Sequence, residues 1–167
     1  VALNSDTSSK IIFAGAAAFD DDGGTDSGAV FIYEYNSSSN SWDQLGSQIN
    51  GPSGGKLGNN SGGKGISLSS DGNRIAFGAP EYSNNKGQVE VWEYNSSSNS
   101  WGRLGNEIIP TVNSNVFGYS VALNSDGSKV AIGSTKTDVN ASNSGSIHVY
   151  EYTSGDWSLI SKQINGT

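Results

Sequence analysis

Apolar residues in this chain fall in short runs with a period of two, bounded by Gly, Asn, Asp and Ser, and no segment sustains a 3.6-residue apolar period. That pattern predicts β-strands and no long helix. The run from Gly28 to Tyr35 (GAVFIYEY) returns as Gly87 to Tyr94 (GQVEVWEY) and again as Gly145 to Tyr152 (GSIHVYEY). Upstream, Val1–Asp6 (VALNSD) returns as Ile66–Asp71 (ISLSSD) and Val121–Asp126 (VALNSD). Downstream, Trp42-Asp-Gln-Leu45 matches Trp101-Gly-Arg-Leu104 and, more loosely, Trp157-Ser-Leu-Ile160. The spacing of roughly 55 to 65 residues is near that of a propeller blade and longer than a leucine-rich or ankyrin unit.

Each unit reads as four strands. Strand one begins near Val1, Ile66 and Val121. The pairs Asp71-Gly72 and Asp126-Gly127 then suit a two-residue hairpin turn, because glycine accepts the positive φ such a turn needs. Strand two is Ile75–Gly78 or Val130–Gly133, a variable loop follows, and a glycine opens strand three. Strand four carries the Trp, the Leu and a late Ile (Ile49, Ile108, Ile164). In strand three, Val30 and Ile32, Val89 and Val91, and Ile147 and Val149 lie on one side. Phe31, Tyr33 and Tyr35, with their counterparts Trp92, Tyr94, Tyr150 and Tyr152, lie on the other. A sheet with apolar residues on both faces must be covered on both faces, as a blade is by its neighbours. The expected architecture is therefore all-β: three four-stranded antiparallel propeller-blade-like repeats over residues 1–57, 58–112 and 113–167, an incomplete propeller or a repeat array. Trp42, Trp101 and Trp157 are expected in the core, and Glu34, Glu93 and Glu151 to be solvated or backbone-bonded.

Composition narrows the function. Of the 167 residues, 34% are hydrophobic and 15% charged, with the balance in Gly, Ser and Asn; aromatic residues at 10% and in fixed places argue for an ordered fold over disorder. A net charge of −7 repels phosphate backbones and anionic headgroups, so nucleic acid and membrane insertion are not expected. With no cysteine, disulfides, thiolate metal sites and cysteine nucleophiles are excluded together. The only histidine, His148, stands where the other repeats have Phe31 and Glu90, which marks it as a packing or surface residue rather than a catalytic base. The Gly-rich stretch from Gly51 to Gly65 lacks the lysine-serine ending of a phosphate loop and reads as an inter-blade connection.

Phe117-Gly118-Tyr-Ser-Val-Ala-Leu-Asn-Ser-Asp-Gly127, with Gly78-Ala79-Pro80 in the preceding copy, resembles the FG-GAP repeat of integrin α-chain propellers and of algal and bacterial surface proteins. Ser70–Phe77 also resembles the strand-turn-strand element of TolB-type blades. Only the third copy keeps Phe-Gly; the second has Gly62-Gly63 at that spacing, with Leu57-Gly58 as the candidate substitute after an insertion. Only the second keeps Gly-Ala-Pro, the others reading Ala14-Gly15-Ala16 and Gly133-Ser134-Thr135.

The resemblance implies a non-catalytic extracellular or cell-surface protein, structural or adhesive in role. It also implies calcium as a candidate ligand in the loop after Gly-Ala-Pro, where spaced carboxylates supply the hard oxygens calcium prefers. In the first copy Asp20, Asp22 and Asp26 are the candidate ligands, against the alternative of a solvated acidic loop; a calcium-dependent ligand- or glycan-binding propeller module is the competing function. Asn36, Asn59, Asn95, Asn140 and Asn165 head N-x-Ser/Thr sequons and are glycosylation candidates. Three blades leave an apolar face at each end, so neighbouring repeats or identical subunits are the expected partners, in a longer propeller or a surface filament, with a glycan or surface protein as a candidate ligand.

Overall fold

A computed structural model of the chain describes residues 1–5, 12–17, 26–55, 57, 65–110, 114–137, 144–160 and 164–166. The strands are β1 (Ala2–Leu3), β2 (Ile12–Ala17), β3 (Ala29–Asn36), β4 (Ser41–Gln44), β5 (Ile49–Asn50), β6 (Ile66–Leu68), β7 (Arg74–Ala79), β8 (Gln88–Asn95), β9 (Ser100–Arg103), β10 (Ser114–Leu123), β11 (Lys129–Thr137), β12 (Ser146–Thr153), β13 (Asp156–Leu159) and β14 (Ile164–Asn165). They form three antiparallel sheets in chain order, β1-β2-β3-β4, β6-β7-β8-β9 and β10-β11-β12-β13. The expected all-β fold of four-stranded antiparallel blades is what the chain adopts.

The outer strand of each blade breaks in two. In the first, β4 pairs with the end of β3, the chain kinks at Gly46 (φ +72°), and β5 returns to pair with Ala29 and Val30. The third blade repeats this with β13 and β14 on β12, and in the second Ile108 bridges back to Val89. The backbone N–H of Leu45 bonds the Ile32 carbonyl, and those of Leu104 and Ile160 bond the carbonyls of Val91 and Val149, all at 2.8–2.9 Å.

The inner hairpins differ from the two-residue turn expected of Asp-Gly. Ser69 N–H bonds Arg74 C=O and Gly72 N–H bonds Ser69 C=O, so the connection is four residues long. Gly72 (φ +71°) is left-handed and Asp71 is not, whereas a type I′ turn requires both. Asp71 instead uses its carboxylate to accept from Ser69 Oγ (2.7 Å), Asn73 N–H (3.0 Å) and Asn73 Nδ2 (2.8 Å). Asn124 to Lys129 repeat the backbone pattern around Gly127.

The cores lie between blades. One cluster joins Val30, Ile32, Leu45 and Ile49 of the first blade to Leu68, Ile75, Phe77 and Trp101 of the second, with Leu57 from the connection. The other joins Val89, Val91, Leu104 and Ile108 to Phe117, Val121, Ile132 and Trp157. Strand three thus divides as its pattern predicts: aliphatic residues face the following blade, and Trp92 and Tyr94, or Tyr150 and Tyr152, face the preceding one.

Candidate functional site

Each joint between blades repeats one set of contacts. Trp101 lies across the joint, its indole Nε1 donating to the Leu45 carbonyl at 2.8 Å; Trp157 does the same to Leu104 at 2.7 Å. The kinked glycine beneath each indole makes the room. A Cβ on Gly46 would sit 2.9 Å from Trp101 Cδ1, and one on Gly105 3.0 Å from Trp157 Cδ1. The ring is held from behind by a tyrosine, its cross-strand partner on the adjacent strand of the same blade. Tyr94–Trp101 and Tyr152–Trp157 centroids are 5.3 and 5.4 Å apart, at tilts of 48° and 52°.

At the other end of the joint a second contact brings backbones together. Phe117 N–H bonds the Lys86 carbonyl, and Gly118 lies against Gly78, so close that a Cβ on Gly78 would collide with the Gly118 carbonyl. The Phe-Gly of one blade therefore docks on the Gly-Ala-Pro of the blade before it, with Phe117 fully buried. At the first joint Leu57 fills the same place: its N–H bonds the Ser27 carbonyl, and it packs on Gly28 as Phe117 packs on Gly87. Leu57 is the substitute for Phe after an insertion, as the sequence suggested.

Polar groups fasten the second joint further. Asp156 accepts from Asn106 N–H (2.9 Å) and Asn106 Nδ2 (2.8 Å), and these bonds hold its carboxyl below the ordinary aspartate range. Arg74 pairs with Glu93 at 2.8 Å, lies 6.0 Å over the Tyr152 ring and reaches the Asp126 carbonyl at 3.4 Å. Arg74, Glu93 and Asp126, together with Asp71, Asn73, Tyr94 and Ser96, line an open polar groove of about 310 Å³. Its charged groups are spent on turn and joint contacts, with Asp126 accepting from Ser128 N–H at 2.8 Å.

The sequence-predicted residues divide as follows. Asp20 and Asp22 lie outside the described residues. Asp26 is exposed and left-handed (φ +55°), one residue before buried Ser27. Among the described residues no three His, Asp or Glu side chains gather as a metal site. Asn36 and Asn95 head matching turns in which Asn Oδ1 accepts the N–H of Ser38 or Ser97 at 3.0 and 2.9 Å; Asn95 is exposed and Asn36 half-buried. Asn165 is half-buried in β14, and Asn59 and Asn140 lie outside the described residues.

Glu93 and Glu151 are solvated, as expected, and each is also the cross-strand ion partner of Arg74 or Lys129. The register puts each pair side by side on adjacent strands. His148 is fully buried, its ring 5.4 Å from Phe117 and its Nε2 3.0 Å from Ser146 Oγ; burial pulls its pKa down. The expectation that all three tryptophans are core fails at Trp42, which is 49% exposed while Trp101 and Trp157 are buried. The reason is the joint itself: Trp101 and Trp157 are each covered by the blade before them, and among the described residues no sheet lies over Trp42. Gly46, Gly105 and Asn106 went unread, although the recurring Trp-x-x-Leu-Gly was there to mark the seat.

Residues 111–150 match the FG-GAP repeat. That segment carries Phe117-Gly118, β10, β11 and the first part of β12 of the third blade. No curated protein matches the sequence. Among solved structures, a putative 6-phosphogluconolactonase from Bacteroides fragilis is similar over 93% of this chain and 38% of its own, with 13% identity and a TM-score of 0.51. The β-propeller domain of the Trilobed protease from Pyrococcus furiosus aligns over all of this chain and 42% of its own, with 14% identity and a TM-score of 0.47. The chain thus spans about two-fifths of each. At such identity the likeness concerns fold alone, and the protein is a propeller-type module.

Proposed function

We propose that this module is a non-catalytic structural or adhesive element of an extracellular or cell-surface protein. The observation that carries the reading is the joint: one set of parts, an indole on a Leu-Gly kink and a Phe or Leu docked on a glycine, is used at both blade junctions. Side chains that could otherwise do chemistry are committed to packing and hydrogen bonds within the blades. His148 is sealed beneath Phe117, and Glu90 is buried between Gln88 Nε2 and Trp92 Nε1, each 2.9 Å away. The FG-GAP match, the acidic Ser- and Asn-rich composition and the exposed Asn95 sequon support a surface location.

The experiment is protease shaving of intact source cells, followed by glycosidase treatment of the released peptides. Release of peptides from this chain without lysis, with a mass shift at Asn95, is the expected result. Recovery only after lysis overturns the surface reading.

A further inference from the structure

Glu34–Trp42 and Glu93–Trp101 are the same nine residues, EYNSSSNSW, at the outer hairpins of the first two blades. Their tips fold alike. Asn36 Oδ1 accepts the N–H groups of Ser38 and Ser39, and Asn95 Oδ1 those of Ser97 and Ser98. The Tyr35 and Tyr94 hydroxyls donate to Asn40 and Asn99 in the same way. Each tip opens on an Asn-Ser-Ser sequon, so whatever separates Asn36 from Asn95 is imposed by the surrounding fold.

The next strand does separate them. Asn36 is half-buried, and its Nδ2 donates to Asp43 Oδ2 at 2.9 Å. The second blade has Gly102 in place of Asp43, and a Cβ there would meet nothing within 4 Å. Asn95 is exposed, and its Nδ2 has no partner among the described residues. The charges differ as well. Glu34 and Asp43 stand opposite each other on β3 and β4, and Ile12 is the partner of Glu34 on the other side. Beside Asn95 the matching row is Arg74–Glu93–Gly102, in which the one carboxylate is paired with a guanidinium at 2.8 Å.

We propose that the folded chain accepts an N-linked glycan at Asn95 and that Asp43 withholds the twin sequon at Asn36. The co-substrate class is a sugar carried on a lipid diphosphate. In the transfer, Nδ2 attacks the anomeric carbon, and the N–C bond forms as the C–O bond to the diphosphate breaks. The lipid diphosphate leaves with the bonding pair, and the amide nitrogen gives up one proton. At Asn95 that nitrogen is free and the space beside Gly102 is open to the incoming sugar. At Asn36 a bond to a carboxylate is first surrendered, a factor of at least about ten in rate. Two facing carboxylates there also repel the diphosphate of the donor. The inference rests on the surface reading, since an exported chain is the one that meets such a donor. Its test uses purified protein and reads geometry alone.

The test is incubation of the folded 167-residue chain with a single-subunit oligosaccharyltransferase and a lipid-diphosphate oligosaccharide, with modified peptides mapped by mass spectrometry. Synthetic peptides spanning residues 30–47 and 89–106 supply the unfolded reference and are expected to be modified alike. In the folded chain Asn95 should be favoured over Asn36 by at least about tenfold. Asp43→Gly should raise Asn36 toward Asn95, and Gly102→Asp should lower Asn95 toward Asn36. Both substitutions are at exposed positions, and circular dichroism checks that the strands are kept. Equal transfer to the two sites of the folded chain, or no transfer to either, overturns the proposal. So does a preference that survives both substitutions, or one already present in the peptides. Each of these outcomes leaves the surface reading standing, and recovery of the chain only after lysis leaves the acceptor geometry standing.

Discussion

Gly78 and Gly118 lie back to back across the second joint, in different sheets, with the Gly118 carbonyl occupying the space a Gly78 side chain would need. The contact brings two backbones together where no side chain can yield. Gly78→Ala is therefore expected to destabilise the chain by about 3 kcal/mol, at the upper end of the cost of overpacking. Gly102→Ala supplies the control, because a Cβ there meets nothing within 4 Å. Urea denaturation of both variants checks this, and equal midpoints would place the tight contact elsewhere.

Trp101 and Trp42, at the same position of strand four in successive blades, should lose stability to very different extents. Trp101→Ala empties a seat in the first core and leaves the Leu45 carbonyl without its donor, for a loss of roughly 3–5 kcal/mol. Trp101→Phe keeps most of the ring and gives up the hydrogen bond, for about 1 kcal/mol of bond plus a smaller packing loss. Trp42→Ala should cost less than about 1 kcal/mol because the ring is half-exposed. Thermal melts of the three variants give the ranking directly.

That contrast also marks what the sequence could convey. Strand three announced its two covered faces through alternation of Val and Ile with aromatic residues, and both joints obey it. The Phe-Gly and Gly-Ala-Pro stretches, some 40 residues apart, were legible as motifs but not as partners in one contact. A residue's own repeat does not encode its burial when the neighbouring repeat supplies the cover, so three similar tryptophans were read alike and only two are buried. The inner turn was misjudged for a local reason. Asp71 gathers Ser69 and Asn73 around its carboxylate, which favours a longer loop than the Asp-Gly pair alone suggests. The Asn106–Asp156 clamp left no repeated signature, because the first joint has Ser47 and Ser100 at those places.

His148 should make the second joint sensitive to mild acid. Burial lowers its folded pKa below the ordinary 6.5, so the unfolded chain takes up the proton more readily. Stability from this group is complete above pH 6.5 and declines as pH falls through that value toward the folded pKa. Glu90 works in the other sense. Burial is the main cause of its raised pKa, against the bond from Trp92, and it disfavours the ionised folded state above its ordinary 4.5. His148→Phe, which installs the residue of the first repeat at Phe31, should remove the loss between about pH 7.5 and 5.5 and leave the Glu90 trend exposed. Urea midpoints at those two values check it; an unchanged pH slope in the variant would mean His148 is not what titrates.

Asp156 predicts a second, more acidic transition, confined to the outer edge of the joint. Its pKa is held down first by the Asn106 backbone N–H, then by the Asn106 side chain and the Trp157 N–H. A carboxylate with a depressed folded pKa contributes stability that is complete above the unfolded value and is lost as pH falls through the folded one. Here that places the loss below pH 3.8, well under the histidine window. Protonation there weakens three bonds at once: two fasten the Gly105–Asn106 kink to the third blade, and one fixes the backbone of Trp157. Asp156→Asn keeps the shape and one acceptor oxygen without the charge. It should be less stable than the unmodified chain at neutral pH and converge with it as pH drops below the aspartate range. Trp157 is the reporter, because the same kink seats its indole on Leu104. Acid titration should move tryptophan emission to the red before the strand circular dichroism is lost, and Asp156→Asn should remove that early step. Emission and circular dichroism changing together in both proteins would show that the clamp does not govern the seat.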